Sequence, residues 1–196
     1  MAMMSSWSTV FCFEWDYRQA RSVKAFSVRD AVELGAEMVL VSLTLQTGDE
    51  RQDAQNVALF AELCNEARQL GIPVIGECFP NDSALLSPEK LHDIVLRSCR
   101  ILAELGADVI KTFHTHKFPE VVAGCPLPIL GLGGSKTPHV LDSLRLAQKE
   151  IADGASGVVF GRNAIQIDNP IGYQKALVEV VKRSMDPEAA LKRYMA

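Results

Sequence analysis

Three observations predict an α/β protein built from repeated strand–helix units on one parallel sheet. Short apolar runs of strand length alternate with longer stretches whose apolar residues recur at helical spacing. One joint recurs three times, as Val32-Glu33-Leu34-Gly35-Ala36-Glu37, Ala103-Glu104-Leu105-Gly106-Ala107-Asp108 and Ile151-Ala152-Asp153-Gly154-Ala155-Ser156. Each reads as a helix end, a Gly-Ala joint and the start of a buried strand, which is the recurrence a βα array needs. The strands are almost continuously apolar, as expected of a parallel sheet covered by helices.

Taken in order, Thr9 to Phe13 is a β-branched and aromatic run and predicts a strand. Ser27-Val28-Arg29-Asp30 has the form of a capping box and opens a short helix that Gly35 ends. Met38 to Leu43 is the next strand. Phe60, Leu63, Cys64 and Ala67 mark the buried face of a helix stopping at Gly71. Pro73 to Phe79 is a strand closed by Pro80. Ser87-Pro88 then starts a helix, serine at the cap and proline at the first helical position, with Leu91, Ile94, Val95, Leu102 and Leu105 as its apolar stripe. That helix delivers the chain through Gly106 to the strand carrying Lys111. A strand at Pro128 to Leu132 and the turn Gly133-Gly134-Ser135-Lys136 follow, and Thr137-Pro138 predicts a helix running to about Asp153. After the strand Gly157 to Phe160 come Gly161-Arg162-Asn163, a helix from Ile171 to Arg183, and a short terminal helix capped at Asp186-Pro187-Glu188.

With 196 residues and 48% hydrophobic content, the chain is expected to form one domain over residues 1–196 with one sizeable core. Net charge is −4 with no basic run, which argues against nucleic acid or an anionic membrane as partner. No apolar stretch exceeds strand length, so no bilayer span is expected. The N-terminal residues lack a basic region and run into Glu14 and Asp16, a poor signal peptide. Five scattered cysteines without a C-x-x-C pair point to a reducing cytoplasm, and away from a disulfide framework or a zinc site.

Lys111 lies in the middle of an apolar strand. Stripping water from an ammonium lowers its pKa, and a neutral lysine amine can attack a carbonyl; the same position also suits a lysine that snorkels to water or pairs with a carboxylate. Six strands are too few for a closed (β/α)8 barrel, which needs eight and usually about 250 residues. The ends of the last two strands favour a barrel that is N-terminally incomplete over an open sheet. Both finish in small or basic residues, Gly133-Gly134 and Gly161-Arg162. In barrels the loops after the seventh and eighth strands commonly hold a phosphate, where glycine lets backbone amides approach and arginine can add a bidentate contact. One Gly-Gly pair fits an ordinary turn equally well; two such ends on consecutive strands beside a lysine-bearing strand form a more specific constellation. Such a partial TIM barrel of about six βα units should be open and C-shaped, with edges at the Val10 and Val158 strands, unless other segments or subunits cover them.

The runs Gly106 to Thr112, Leu132-Gly133-Gly134-Ser135-Lys136-Thr137 and Gly157 to Asn163 resemble the archaeal-type class I fructose-bisphosphate aldolases, a group allied to the deoxyribose-phosphate and tagatose-bisphosphate aldolases. The likeness covers roughly Ser27 to Val181, with the motifs in family order. By position, the resemblance implies that Lys111 forms a Schiff base with a ketose phosphate and that Gly133, Gly134, Gly161 and Arg162 hold its phosphate. It further implies a small-molecule sugar phosphate as substrate, no metal or other cofactor, and assembly as a homo-oligomer. The strands present correspond to the third to the eighth of that family. The family's first-strand aspartate has no counterpart here, its proton-transferring tyrosine aligns with Phe79, and Leu132 stands where a serine is usual.

Strand alternation supplies a candidate proton carrier. If Lys111 points inward so do Val109 and Phe113, and the alignment that the resemblance implies puts Glu77 and Phe79 of the preceding strand on that side. Glu77 could accept protons during imine formation and C–C cleavage, or could form an ion pair that keeps the lysine charged and inert. His114 and His116, just beyond the strand, suit proton transfer at the mouth or a solvated surface. The expected activity is class I aldolase chemistry on a phosphorylated ketose. The alternatives are a sugar-phosphate-binding barrel without turnover, and a thiolase- or transaldolase-like synthase.

Overall fold

The joints between helices and strands are where local sequence dictates the chain path most directly. A computed structural model describes residues 22–78, 80 and 86–195. The expected strand Thr9–Phe13 and Phe79 lie outside these residues. Elements alternate as α1 (Val28–Glu33), β1 (Val39–Leu43), α2 (Glu50–Leu70), β2 (Val74–Cys78), α3 (Pro88–Leu105), β3 (Val109–Thr112), α4 (Phe118–Gly124), β4 (Ile129–Leu132), α5 (Val140–Ala152), β5 (Gly157–Val159), α6 (Arg162–Ile165), α7 (Pro170–Arg183) and α8 (Pro187–Met195). At the three repeated joints Gly35, Gly106 and Gly154 adopt φ of 87°, 105° and 103°, a left-handed geometry that glycine adopts without strain. In each, the following alanine amide reaches back to the fifth residue before it, Ala36 to Ala31, Ala107 to Leu102 and Ala155 to Glu150. One cap thus redirects three helices into three strands. Helix starts are equally local. Ser27 and Asp30 form the reciprocal capping box, at 3.0 and 2.7 Å, and Ser87 Oγ accepts from Lys90 N at 3.3 Å behind Pro88.

The strands lie in the order β1-β2-β3-β4-β5, all parallel. Among the described residues β1 and β5 each pair on one side only, so the sheet does not close. This five-stranded α/β sheet with interleaved helices is an incomplete (β/α)8 barrel. Its main core lies between the sheet and the helices, where Phe60, Leu63, Cys64 and Ala67 of α2 and Val95, Cys99 and Leu102 of α3 cover the backs of β1, β2 and β3. Burial pushes the thiols of Cys64 and Cys99 up to about 12 and that of Cys78 to about 11, so these are inert packing groups. A second cluster joins α5, α7 and α8 through Leu144, Tyr173, Ala176, Val180 and Ala190. There Tyr173 donates its hydroxyl hydrogen to Ser143 Oγ at 2.8 Å.

Helix α5 starts at Val140 and not at Thr137-Pro138. Thr137 Oγ1 instead donates to the His139 carbonyl at 2.8 Å, and the Thr137 amide donates to Asn163 Oδ1 at 2.8 Å. These contacts hold the segment before α5 as a loop against the end of β5.

Glu150 of α5 is fully buried behind β4, its carboxyl packed over Gly131, where a Cβ would collide with it. Neither carboxyl oxygen has a hydrogen-bond partner among the described residues. Burial pushes its pKa from 4.5 up to about 8. The unfolded chain releases this proton through about pH 4.5, whereas the folded chain retains it to about pH 8. Stability is therefore fully present below pH 4.5, falls between the two values and is level above them, a loss on the order of 5 kcal/mol. Glu150→Gln is expected to remove that slope and, after the cost of a buried amide, to be the more stable protein at about pH 8 by roughly 2 kcal/mol. Urea unfolding of both proteins across this range checks it; an unchanged slope would show that Glu150 does not titrate in this way.

Candidate active site

Parallel register lines up five residues across the sheet, Ser42, Glu77, Lys111, Leu130 and Gly157. Paired residues of neighbouring strands share a face, and burial along β3 identifies it. Ile110 and Thr112 are buried on the helix side, while Val109 and Lys111 are only partly covered on the other. Lys111 Nζ lies 2.8 Å from Glu77 Oε1, with side-chain exposures of 19% and 10%. On its other flank is Leu130, whose side chain leans toward Gly157, 3.1 Å from where a Cβ would stand. The lysine is thus held between one carboxylate and an aliphatic wall. The carboxylate is placed to accept a proton from the ammonium, the step that would free an amine nucleophile.

The ends of β4 and β5 come together above this row. Gly133 packs so closely on the Phe160 ring that a Cβ would lie 2.7 Å from Cγ, and Gly134 has φ of 60°. Arg162 Nη2 donates to the Gly134 carbonyl at 3.0 Å, leaving other guanidinium hydrogens of this exposed side chain available. Gly161 precedes Arg162 at the start of α6, with open space where a side chain would be. Gly133, Gly134, Gly161 and Arg162 therefore form one patch. Gly133 is three residues along β4 from Leu130, which pairs with Lys111, so the patch stands about 10 Å farther along the strands. A lysine side chain and the skeleton of a small sugar phosphate can span that distance together.

Asn163 is the residue that sequence reasoning passed over. Its buried carboxamide donates to the Gly133 carbonyl at 2.8 Å and the Ser135 carbonyl at 3.1 Å, and accepts from the Thr137 amide at 2.8 Å. The only sequence signal was its place directly after Gly161-Arg162. The histidines beyond β3 do not face the lysine row as a pair. Alternation continues past Thr112, so His114 turns to the helix side, where its Nε2 lies 2.7 Å from Asp153 Oδ2 and its ring lies near Phe118. His116 is exposed and its ring lies 5.2 Å from that of buried His92, whose Nδ1 is 2.9 Å from Thr115 Oγ1. Among the described residues no three His, Cys, Asp or Glu side chains gather as metal ligands would, and no helix is long and apolar enough to cross a membrane.

The DeoC/LacD family aldolase pattern matches residues 13–167. The chain belongs to the DeoC/LacD aldolase family. It is 33% identical over 166 residues to 2-amino-3,7-dideoxy-D-threo-hept-6-ulosonate synthase 1 of Archaeoglobus fulgidus, covering 84% of this chain and 60% of that protein. It is 32% identical over 178 residues to 3-hydroxy-5-phosphonooxypentane-2,4-dione thiolase of Shigella flexneri, covering 88% and 64%. Among solved structures, a Schiff-base-forming fructose-1,6-bisphosphate aldolase superposes with a TM-score of 0.73 at 30% identity, over 83% of this chain and 65% of that one. An archaeal fructose-1,6-bisphosphate aldolase whose catalytic lysine is covalently bound to the carbinolamine intermediate gives 0.74 at 29%, with the same coverage. The chain thus spans less than two thirds of the length of each of these relatives.

In this member of the family, the ion pair itself can be tested. Lys111→Met leaves Glu77 charged and partly buried, so it should destabilise the protein in the wild-type background but be close to neutral beside Glu77→Gln. A double-mutant cycle by urea unfolding is expected to give a coupling of about 1–3 kcal/mol. Additive single effects would show that the two groups do not interact in solution.

Proposed function

We propose that this chain carries out class I, Schiff-base aldolase chemistry on a phosphorylated ketose. The observation that carries this reading is the 2.8 Å Lys111–Glu77 contact, set below the Gly133-Gly134 and Gly161-Arg162 ends of the next two strands. Glu77 accepts a proton from Lys111, and the free amine attacks the ketone carbon to give a carbinolamine. Glu77 returns its proton to the carbinolamine hydroxyl, which leaves as water and gives a protonated imine. The C–C bond one carbon farther along then breaks, its electron pair moving into the imine to leave an enamine. The hydroxyl on the departing carbon passes its proton to Glu77 and becomes the aldehyde carbonyl. Protonation of the enamine and hydrolysis of the imine return the free lysine and the second product. The phosphate, held by the Gly133-Gly134 and Gly161-Arg162 patch, supplies binding energy away from the reacting carbons and fixes the ketone over Lys111.

A second reading rests on the two curated relatives, whose names are those of a synthase and a thiolase. In that reading the same lysine and phosphate patch serve, but the carbon fragment passes to an acceptor other than a simple aldehyde. Product analysis with several aldehyde and thiol acceptors separates the two.

The activity test is cleavage of a panel of ketose phosphates. Lys111→Arg keeps the charge but forms no imine, and is expected to lower turnover by at least about a thousandfold. Arg162→Ala is expected to raise KM for a phosphorylated ketose about tenfold more than for its unphosphorylated analogue. Full activity in Lys111→Arg would overturn the mechanism, and equal KM changes for both substrates would assign Arg162 a structural role.

A further inference from the structure

The loop between β4 and α5 is shaped by one side chain from elsewhere in the chain. A primary carboxamide offers two N–H donors and two acceptor lone pairs. Asn163 is 3% exposed and directs its hydrogen bonds to this one loop. Its Nδ2 donates to the carbonyls of Gly133 and Ser135, and its Oδ1 accepts from the Thr137 amide, with the Thr137 hydroxyl oxygen 3.2 Å away. These partners flank Gly134, whose φ of 60° turns the backbone between them. The amides of Gly134, Ser135 and Lys136 have no acceptor among the described residues. The loop borders a cleft of about 310 Å³, lined by Lys136, Thr137, Asn163, Asp168 and Asn169 among others. Hydrogen bonds tie the loop down, and three of them end on Asn163.

From this we infer that Asn163 is the positioning residue of the anion site: its carboxamide holds the Gly133 to Thr137 backbone so that the Gly134 and Ser135 amides stay free to receive a phosphate monoester. The inference rests on the phosphate reading given above and deepens it. Asn163 need not touch the ligand. It draws the two carbonyls of the loop inward, which leaves the intervening amides for an anion. Its neighbour Arg162 adds the positive charge and, by its bond to the Gly134 carbonyl, a second tie on the same turn.

Asn163→Asp is the informative variant, because it is nearly isosteric but places an acceptor oxygen against the Gly133 and Ser135 carbonyls. Titration of ¹⁵N-labelled protein with inorganic phosphate, followed amide by amide, reads the effect. In the wild type the Gly134 and Ser135 amides are expected to shift saturably. In Asn163→Asp they are expected to need at least about tenfold more phosphate, while resonances of α2 and α3 stay in place, a pattern that general unfolding would not produce. If that variant does not fold, Thr137→Val removes the hydroxyl that lies 3.2 Å from Oδ1 and ties the loop to the His139 carbonyl, and is expected to weaken phosphate about threefold. Arg162→Ala separates the two levels of the argument. If it weakens phosphate and the Asn163 and Thr137 variants do not, the positioning role is overturned and the anion site stands. If the wild type shows no saturable shift at Gly134 and Ser135, the anion site itself fails and the role of Asn163 with it.

Discussion

The parallel register of β2 against β3 sets Glu77 level with Lys111, and a slip of one residue would turn one of the two onto the helix side. That register is held at the base of the strands by Asp108. Its amide donates to the Val74 carbonyl at 2.9 Å, and its Oδ2 accepts from the Val74 amide at 2.8 Å. Gly106 ends α3 in a left-handed turn just before it. A helix cap, a two-way latch and a strand register thus lead, within a few residues, to a charged pair on the less covered face. The next pairing, Lys111 with Leu130, sets the height of the lysine below the glycine–arginine patch.

The two faces of the sheet carry different chemistry. The helix side holds inert thiols, the His114–Asp153 pair and the carboxyl of Glu150, which has no hydrogen-bond partner among the described residues. The other side holds the lysine and its glutamate, with the glycine-bearing strand ends beyond them. The second helical cluster connects the two. Helix α7 packs on α5 through Tyr173 and Ser143, and Asn163 of α6, next to buried Ala164 of the same cluster, reaches the loop that precedes α5. The shape of the β4–α5 loop thus depends on residues that follow it by 26 to 30 positions.

That distance explains which features were legible in the sequence. Caps, joints and strand alternation are short-range, so the parallel order and the Ser27 and Ser87 helix starts could be read from spacing alone, while the shared face of Lys111 and Glu77 needed the register that the family resemblance implies. The closeness of the two glycine-bearing loops followed from their positions at the ends of consecutive strands. The start of α5 could not be read, because Thr137-Pro138 is a good local helix opening that Asn163 overrides from the end of the neighbouring strand. His114 looked like a mouth residue because it follows the strand, yet continuing the same alternation one step further places it against Asp153. Glu150 also had a signal. It sits three residues after Ala147 and six after Leu144, on the buried stripe of α5, but an acidic residue at a helix position is ordinarily assigned to solvent.

The claim that Lys111 is an imine-forming nucleophile is tested most directly by covalent capture. Mixing the protein with a ketose phosphate and borohydride reduces an imine to a stable secondary amine, and peptide mass mapping locates it. The present account requires the added mass at Lys111, and none at Lys117 or Lys136 near the same end of the sheet. Capture at another lysine, or no capture in a folded protein that binds the ketose phosphate, would contradict it.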